Sequence, residues 1–374
     1  MTAAAGKGLE GVVASQTHLS FIDGLKGILV YRGYNIHELA PNVSFPESVF
    51  LLWNGRLPRQ AELDEFEVAL AGQRALDPRT IDGLKGLPAE TVPMAALRTG
   101  VSLEGVYDPD AEDNSSAANR RKAERLVART PTIIAAIHRI RQGLEPLEPD
   151  PSLSLSADFV RMANGEPGTE EAVDALDRTL LLYLDHGFNA STFACRVIAA
   201  TLGDMHSAVT GGVGALKGEL HGGANARAMH TLLEIGDTEN VDPWLDRAFA
   251  EKRKIMGFGH RVYKTEDPRA THLREMSRVL TQQAGLGKFY EMSRALEDRM
   301  ISEKGINPNV DFYCATVYYA LGIPIDLYTP LFAMGRMGGW TAHVMEQHAD
   351  NRLIRPRAEY VGEMDLRWVP MDER

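Results

Sequence analysis

From Tyr34 almost to the C-terminus, apolar side chains recur at the three- and four-residue spacing of amphipathic helices. Residues 11–31 differ, because apolar and polar positions alternate there around the turn signals Asp23-Gly24 and Lys26-Gly27, which predicts two or three short strands. The sequence therefore predicts a mainly α fold with a small N-terminal β element. The clearest helical segments are residues 46–53, 61–76, 169–184, 191–202 and 289–303.

Proline and glycine residues indicate where several helices begin and end. Asp242-Pro243 and Asp267-Pro268 each place a capping acid before a proline at the first helical position. Pro131 separates a predicted pair of helices, 120–128 and 131–141. The stretch 329–348 is expected to form one or two helices, interrupted near Gly335 to Gly339.

The helical stretch 205–218 is unusually rich in glycine. Each glycine costs roughly 1 kcal/mol against alanine in a helix interior, so a close neighbour is expected to compensate. A tight crossing within the chain and an interface between subunits both fit this pattern. The small residues are Ala208, Gly211, Gly212, Gly214, Ala215 and Gly218.

The composition is that of a soluble globular enzyme with room for two domains. The chain has 374 residues, of which 44% are hydrophobic and 24% are charged. It has no apolar run of eighteen residues and no signal-peptide pattern at Met1, so we expect a cytoplasmic protein without membrane association. Cys195 and Cys314 lie in apolar helical stretches and are expected to be buried thiols in a reducing compartment.

The net charge of -11 argues against general nucleic-acid binding, which requires a basic face. One short run of the chain is nevertheless rich in basic residues. It is either a solvated helix end or a small phosphate-binding patch. Its members, within thirteen residues, are Lys252, Arg253, Lys254, Arg261 and Lys264.

Three short runs each place a titratable side chain at a break between helices. They are Glu219-Leu-His-Gly-Gly-Ala-Asn225, the segment from Gly257 to Arg269, and Asn307-Pro-Asn-Val-Asp311. The side chains that stand at these breaks are His221, His260 and Asp311. Two imidazoles and a carboxylate at turns are typical of an acid/base site, although each also has a structural explanation as a cap or first-turn charge.

The position of each group predicts its chemistry. His221 precedes a helix, whose dipole disfavours imidazolium and so favours a neutral hydrogen-bond donor. Asp311 begins an apolar helix, where desolvation would raise its pKa and make it a better base. Gly257 and Gly259 allow the backbone to approach a ligand, and the guanidinium of Arg269 suits a carboxylate. The histidine and cysteine spacing predicts no metal site.

In this order and spacing, the three runs resemble the citrate synthase family. The resemblance begins at Gly8-Leu-Glu-Gly-Val-Val and continues to Arg355-Pro-Arg-Ala-Glu-Tyr-Val-Gly, with one small departure at Val92, where many relatives have histidine. It implies a helical fold of two domains. Residues 1–222 and 323–374 would form the large domain, and residues 223–322 the small domain that closes over the cleft.

The resemblance also implies roles in an acyltransferase reaction of the tricarboxylic acid cycle. Asp311 would remove a proton from the methyl group of acetyl-CoA while His221 binds the thioester oxygen. His260 would polarise the ketone of oxaloacetate, and water would then hydrolyse citryl-CoA without a further cofactor. The implied oxaloacetate ligands are His186, Arg269, Arg336, and Arg355 from the neighbouring subunit of a homodimer. The implied CoA contacts are Gly257, Phe258, Gly259, Arg261 and Lys264.

Two other functions remain open at this point. A 2-methylcitrate synthase would use propionyl-CoA, and one methylene is worth only about 1–3 kcal/mol of discrimination. A non-catalytic regulator that binds CoA or a metabolite would keep the arginines and the basic run. It would have no need of His221, His260 and Asp311 together. Cleavage of citrate or citryl-CoA by the same residues is a weaker alternative.

Overall fold

A computed structural model describes residues 7–9 and 11–374. The expectation that no targeting segment is present rests on the first six residues, which lie outside this part of the chain. The described residues form a mainly helical fold with a small N-terminal sheet, as predicted, although the third strand lies beyond the predicted region 11–31. The strands are β1 (Ser20–Asp23), β2 (Ile28–Tyr31) and β3 (Tyr34–Asn35).

Sixteen α-helices follow the sheet in the described part of the chain. The first eight are α1 (Ile36–Leu39), α2 (Phe45–Asn54), α3 (Gln60–Ala71), α4 (Pro78–Lys85), α5 (Pro93–Tyr107), α6 (Ser116–Arg141), α7 (Leu155–Asn164) and α8 (Glu170–Tyr183). The others are α9 (Ala190–Ala199), α10 (Met205–Leu216), α11 (Ala224–Ile235), α12 (Val241–Ala250), α13 (Pro268–Gln283), α14 (Gly287–Lys304), α15 (Val310–Ala320) and α16 (Tyr328–Ala349).

The sheet is an antiparallel meander in the order β1-β2-β3, with Ser20 opposite Tyr31. Residues 11–14 lie outside it. The turn between β1 and β2 packs directly on a distant loop, because the Lys264 N–H donates to the Gly24 carbonyl over 2.8 Å. A Cβ at Gly24 would lie 2.2 Å from the Val262 carbonyl oxygen, so lack of space requires glycine there.

Helix α16 lies at the centre of the fold and is buried along most of its length. It is continuous, so the predicted interruption at Gly335 to Gly339 is wrong. The glycines instead allow α8 to approach, since a Cβ at Gly339 would lie 2.2 Å from the Leu184 carbonyl oxygen. Packing of two backbones therefore outweighs the low helix propensity of glycine.

Helix α6 is also continuous, and the predicted break at Pro131 is wrong. Proline costs this helix one backbone hydrogen bond. The helix is buried on both sides of Pro131, and the Thr130 hydroxyl donates to the Leu126 carbonyl over 2.6 Å beside the gap. Tertiary burial thus maintains a helix that local propensity would end.

Two glycines of α10 serve a crossing within the chain. A Cβ at Gly211 would lie 2.4 Å from Ile198 Cδ1, and one at Gly212 would lie 2.5 Å from Cys195 Sγ. Both neighbours belong to α9. The glycine-rich face is therefore explained at these positions by helix packing inside one chain.

The two predicted proline starts have different outcomes. Helix α13 begins at Pro268, and Asp267 is its N-cap, as predicted. Helix α12 begins at Val241 after Asn240, so Asp242 lies within its first turn and does not cap it. Among the helices described, none has both the length and the apolar character that a membrane span requires.

Candidate active site

A cavity of about 1010 Å³ brings together the three runs identified in the sequence. Its walls include Gly257, Phe258, Gly259 and Arg261 at the sides. The predicted chemical groups line it as well, and they are His186, His221, His260, Arg269, Asp311 and Arg336. Within residues 7–9 and 11–374, no cluster of three or more metal-ligating side chains is present.

The runs that carry His260 and Asp311 are joined by backbone hydrogen bonds. The Gly259 N–H donates to Asn307 O, and the Asn309 N–H donates to Gly257 O, both over 2.9 Å. Gly257 and Gly259 have φ angles of 85° and 75°, in the region that favours glycine. This short ladder fixes the imidazole loop against the start of the helix that bears the carboxylate.

Asp311 lies in the first turn of α15, where Asn309 caps the helix and accepts the Asp311 N–H. Its side chain is buried, and the Tyr183 hydroxyl donates to Oδ1 over 3.1 Å. Burial raises the pKa of Asp311 to about 6, although Arg269 and the Tyr183 hydrogen bond oppose this shift. The carboxylate is thus a stronger base than an exposed aspartate, as its position in the sequence predicted.

His260 is held as a neutral imidazole with a defined tautomer. Its Nδ1 accepts the backbone N–H groups of Val262 at 3.0 Å and Tyr263 at 3.2 Å. We therefore assign the ring proton to Nε2. Burial and the charge of Arg269 lower the pKa of His260 to about 4, so the ring acts as a hydrogen-bond donor at neutral pH.

His221 is neutral for a similar reason. It precedes α11, as predicted, and burial is the main cause that lowers its pKa to about 4, with Arg336 second. The Ser191 N–H points at Nε2 over 3.4 Å and the Ser191 hydroxyl lies 2.8 Å from the same atom, so Ser191 holds this side of the ring. The Trp340 indole N–H donates to the Ser191 hydroxyl over 3.2 Å and completes this arrangement.

Two buried guanidinium groups, those of Arg269 and Arg336, line the cavity. Arg269 binds Asp267 through two hydrogen bonds of 2.9 and 2.7 Å. Arg336 donates from Nε to the Tyr183 carbonyl over 2.5 Å, whereas its buried Nη1 has no hydrogen-bond partner in the described residues. Burial lowers the pKa of Arg336 only to about 10, so it remains charged at neutral pH. A buried, charged donor that lines the cavity and lacks a partner is available to bind an anion.

His186 lies beside His260 and is close enough to both arginines for their charges to disfavour its protonation. Its Nε2 is 3.2 Å from the Tyr263 hydroxyl, and its ring centroid is 5.0 Å from that of His260. Burial and the charge of Arg269 hold the pKa of His186 well below its ordinary value. The cavity therefore contains a third neutral imidazole in addition to those of His221 and His260.

Two predicted residues do not line the cavity. Lys264 is exposed, and its Nζ lies 3.4 Å from the Arg261 carbonyl. Arg355 is exposed on the C-terminal segment 350–370, which has no helix or strand. The arrangement of a single chain leaves Arg355 out of the site.

Other residues that shape the site were missed in the sequence. Tyr183 and Ser191 contact Asp311 and His221, but they lie 128 and 30 residues away along the chain. Asp267 was predicted only as a helix cap, whereas it also pairs with Arg269. The sequence signals near Ser191 were the implied ligand His186 and the predicted helix 191–202.

The comparisons with known proteins agree with this geometry. The family model "Citrate synthase, C-terminal domain" matches residues 8–357. The chain belongs to the citrate synthase family. It is 50% identical to "Citrate synthase 2" of Bacillus subtilis, over 98% of this chain and 99% of the relative.

Members of this family with a different name are also similar. The "2-methylcitrate synthase" of Mycobacterium tuberculosis is 45% identical, over 95% of this chain and 90% of that protein. Among solved structures, a citrate synthase from Thermoplasma acidophilum has a TM-score of 0.93 at 36% identity, covering 98% of this chain and 99% of its own. That structure is a ternary complex of the Thermoplasma acidophilum enzyme with carboxymethyl coenzyme A and oxaloacetate.

Proposed function

We propose that the protein condenses acetyl-CoA with oxaloacetate and water, giving citrate and CoA through an enol or enolate and citryl-CoA. The observation that carries this proposal is one cavity that holds a carboxylate of raised pKa, neutral imidazoles and an unpaired guanidinium nitrogen. The family supports it, since the Bacillus subtilis relative is named a citrate synthase. The Thermoplasma acidophilum structure holds a CoA derivative together with oxaloacetate.

On the acyl side, Asp311 would take a proton from the acetyl methyl group. The electron pair of the broken C–H bond becomes the carbon–carbon double bond of the enol or enolate, whose oxygen accepts a hydrogen bond from His221. Because Ser191 contacts Nε2, the hydrogen bond to the substrate oxygen would come from Nδ1. A positioned base contributes roughly 10²–10⁴-fold to such a rate.

On the oxaloacetate side, His260 would polarise the ketone through Nε2–H and protonate the alkoxide as the carbon–carbon bond forms. His186, Arg269 and Arg336 would bind the two carboxylates, and the unpaired Nη1 of Arg336 supports this assignment. Water would then cleave the thioester of citryl-CoA. This chemistry uses no cofactor besides the substrates.

The CoA moiety would contact the loop that contains His260, on both sides of this residue. Gly257 and Gly259 have positive φ angles and line the cavity together with Phe258. Arg261 at the rim and exposed Lys264 would bind the CoA phosphates. An otherwise acidic chain thus has a local basic surface for a polyanion.

The site would be completed by domain closure and by a second subunit. Residues 223–322 would form the small domain, since the cavity is lined both by this segment and by residues outside it, such as His186 and Arg336. In a homodimer, Arg355 would reach the partner's oxaloacetate. The C-terminal segment supports this arrangement because it exposes large apolar side chains, including Val361 at 90% and Trp368 at 78%.

The decisive experiment measures CoA release with a thiol reagent, with and without oxaloacetate. We expect release from acetyl-CoA that depends on oxaloacetate, and no release in its absence. The Mycobacterium tuberculosis relative favours 2-methylcitrate synthase as a second candidate, which predicts a higher kcat/KM for propionyl-CoA. No release from either thioester would contradict both functions.

A further inference from the structure

The carboxylate of Asp311 has one hydrogen-bond partner within the described residues, the hydroxyl of Tyr183 at 3.1 Å from Oδ1. Tyr183 is the last residue of α8 and has no exposed surface. Burial holds the pKa of its phenol well above the ordinary value, so the hydroxyl keeps its proton and donates. No hydrogen bond reaches Oδ2 in this part of the chain.

Tyr183 is itself fixed from three sides. Its ring packs against Phe332, with centroids 4.1 Å apart, and its carbonyl accepts the Arg336 Nε–H over 2.5 Å. A Cβ at Gly335 would lie 3.0 Å from the Tyr183 Cβ, so α16 follows the backbone of this residue closely. The hydroxyl is therefore a rigid reference point beside the base.

We propose that Tyr183 is a positioning residue for Asp311, whose Oδ1 it holds so that Oδ2 takes the proton from the acyl-CoA. This inference rests on the proposed function. In the step concerned, the methyl C–H bond breaks, the Oδ2–H bond forms, and the electron pair moves into the enol or enolate. The hydroxyl of Tyr183 keeps its own proton throughout.

The same hydrogen bond affects the basicity of Asp311. A donor to the charged form favours ionisation, which opposes the effect of burial on the pKa. Loss of the hydroxyl is therefore expected to move the acid limb of the activity profile to higher pH. The other titratable groups that face this carboxylate are Arg269, Asp267, Arg336, Cys314 and Tyr318.

The test compares wild type with Tyr183→Phe, which keeps the ring and the backbone carbonyl but removes the hydroxyl. We expect the acid limb of kcat, measured with acetyl-CoA and oxaloacetate, to rise by about one pH unit. The isotope effect with methyl-deuterated acetyl-CoA should increase because proton removal becomes slower. The KM for oxaloacetate should stay unchanged, since Arg336 still binds the carbonyl of residue 183.

A matched control is Tyr328→Phe, because Tyr328 is also buried and its hydroxyl has no hydrogen-bond partner in the described residues. An unchanged acid limb in Tyr183→Phe would overturn the proposal. An equal shift in Tyr328→Phe would also overturn it, since the effect would then reflect looser packing. The expected result is a shift in Tyr183→Phe alone.

A second measurement needs no turnover and separates this proposal from the proposed function. A double-mutant cycle of Tyr183→Phe and Asp311→Asn, followed by urea unfolding, reports the coupling between the hydroxyl and the charge. We expect coupling above the pKa of Asp311 and its loss below that pKa. Absence of coupling at both pH values contradicts the proposal, whereas a wild type without condensation activity contradicts only the proposed function.

Discussion

His343 Nε2 lies 3.0 Å from Asp185 Oδ1, and both side chains are fully buried. Arg196 donates to His343 Nδ1 over 2.9 Å, so the ring proton belongs to Nε2 and is donated to Asp185. The other carboxylate oxygen accepts the Gly187 N–H over 3.3 Å. A buried chain of hydrogen bonds therefore supports the loop that carries His186.

Replacement of His343 by leucine should destabilise the protein, because the buried carboxylate of Asp185 loses a donor. We expect the free energy of unfolding to fall by about 3 kcal/mol in urea titrations, with a higher KM for oxaloacetate. His230→Leu, the same change at an exposed position, is the control. Equal stability of the two variants would show that Asp185 does not depend on this hydrogen bond.

The raised pKa of Asp311 predicts that the ionised carboxylate, which the reaction needs, lowers the stability of the folded protein. Because the folded pKa is about 6 against an ordinary value of 3.8, the folded state favours the protonated form. The contribution of Asp311 to the stability of the native state is therefore largest below its unfolded pKa. This contribution is lost as pH rises through about 6. Asp311→Asn removes the buried charge.

We expect Asp311→Asn to be on the order of 2–3 kcal/mol more stable than wild type at alkaline pH and inactive in condensation. The advantage should vanish under acidic conditions, where both side chains are neutral. Urea unfolding across this range measures the difference, and oxaloacetate binding should survive. A variant that is less stable than wild type at every pH would contradict the assigned pKa shift.

Two substitutions of His260 should distinguish its role in catalysis from its role in the structure of the loop. In His260→Asn, the amide oxygen can still accept the N–H groups of Val262 and Tyr263, but the Nε2–H donor is lost. We expect kcat to fall roughly 10²–10³-fold, the usual cost of one oxyanion donor, with little change in thermal stability. His260→Leu should lose similar activity and also about 1–3 kcal/mol of stability. Full activity of His260→Asn would exclude the proposed role.

The turn at Gly24 is expected to hold the His260 loop in place. Gly24→Ala puts a methyl group against the Val262 carbonyl, an overpacking that costs about 1–3 kcal/mol and should lower kcat/KM for acetyl-CoA on the order of tenfold. Leu25→Ala is the control, since Leu25 in the same turn is 79% exposed. Steady-state kinetics of both variants test this contact, and equal kinetic constants would exclude it.

The chemical groups of the site were predictable because each stands in a short run with its own turn residues. His221, His260 and Asp311 lie beside glycine, asparagine or proline, and the fold brings these runs to one cavity. The residues that orient them were not predictable. Tyr183 reaches Asp311 across 128 residues, and no local pattern marks a buried tyrosine as a partner of a carboxylate.

Two helix boundaries were also predicted wrongly from the local sequence. Pro131 and Gly339 carry strong local signals for a break, yet α6 and α16 continue through them. Their surroundings keep these helices continuous, since both helices are buried and a neighbouring backbone fills the space at Gly339. Local propensity predicts an element where tertiary packing agrees with it, and fails where packing is the stronger contribution.

Sharing of Arg355 between subunits can be tested by complementation. Arg355→Ala and Arg269→Ala should each be inactive as pure proteins, because each lacks one proposed ligand of oxaloacetate. In a mixed dimer, one site has the intact Arg269 of its own chain and the intact Arg355 of the other. Random mixing should therefore restore roughly a quarter of the wild-type activity. Mass spectrometry confirms the mixed dimers, and their inactivity would contradict a shared site.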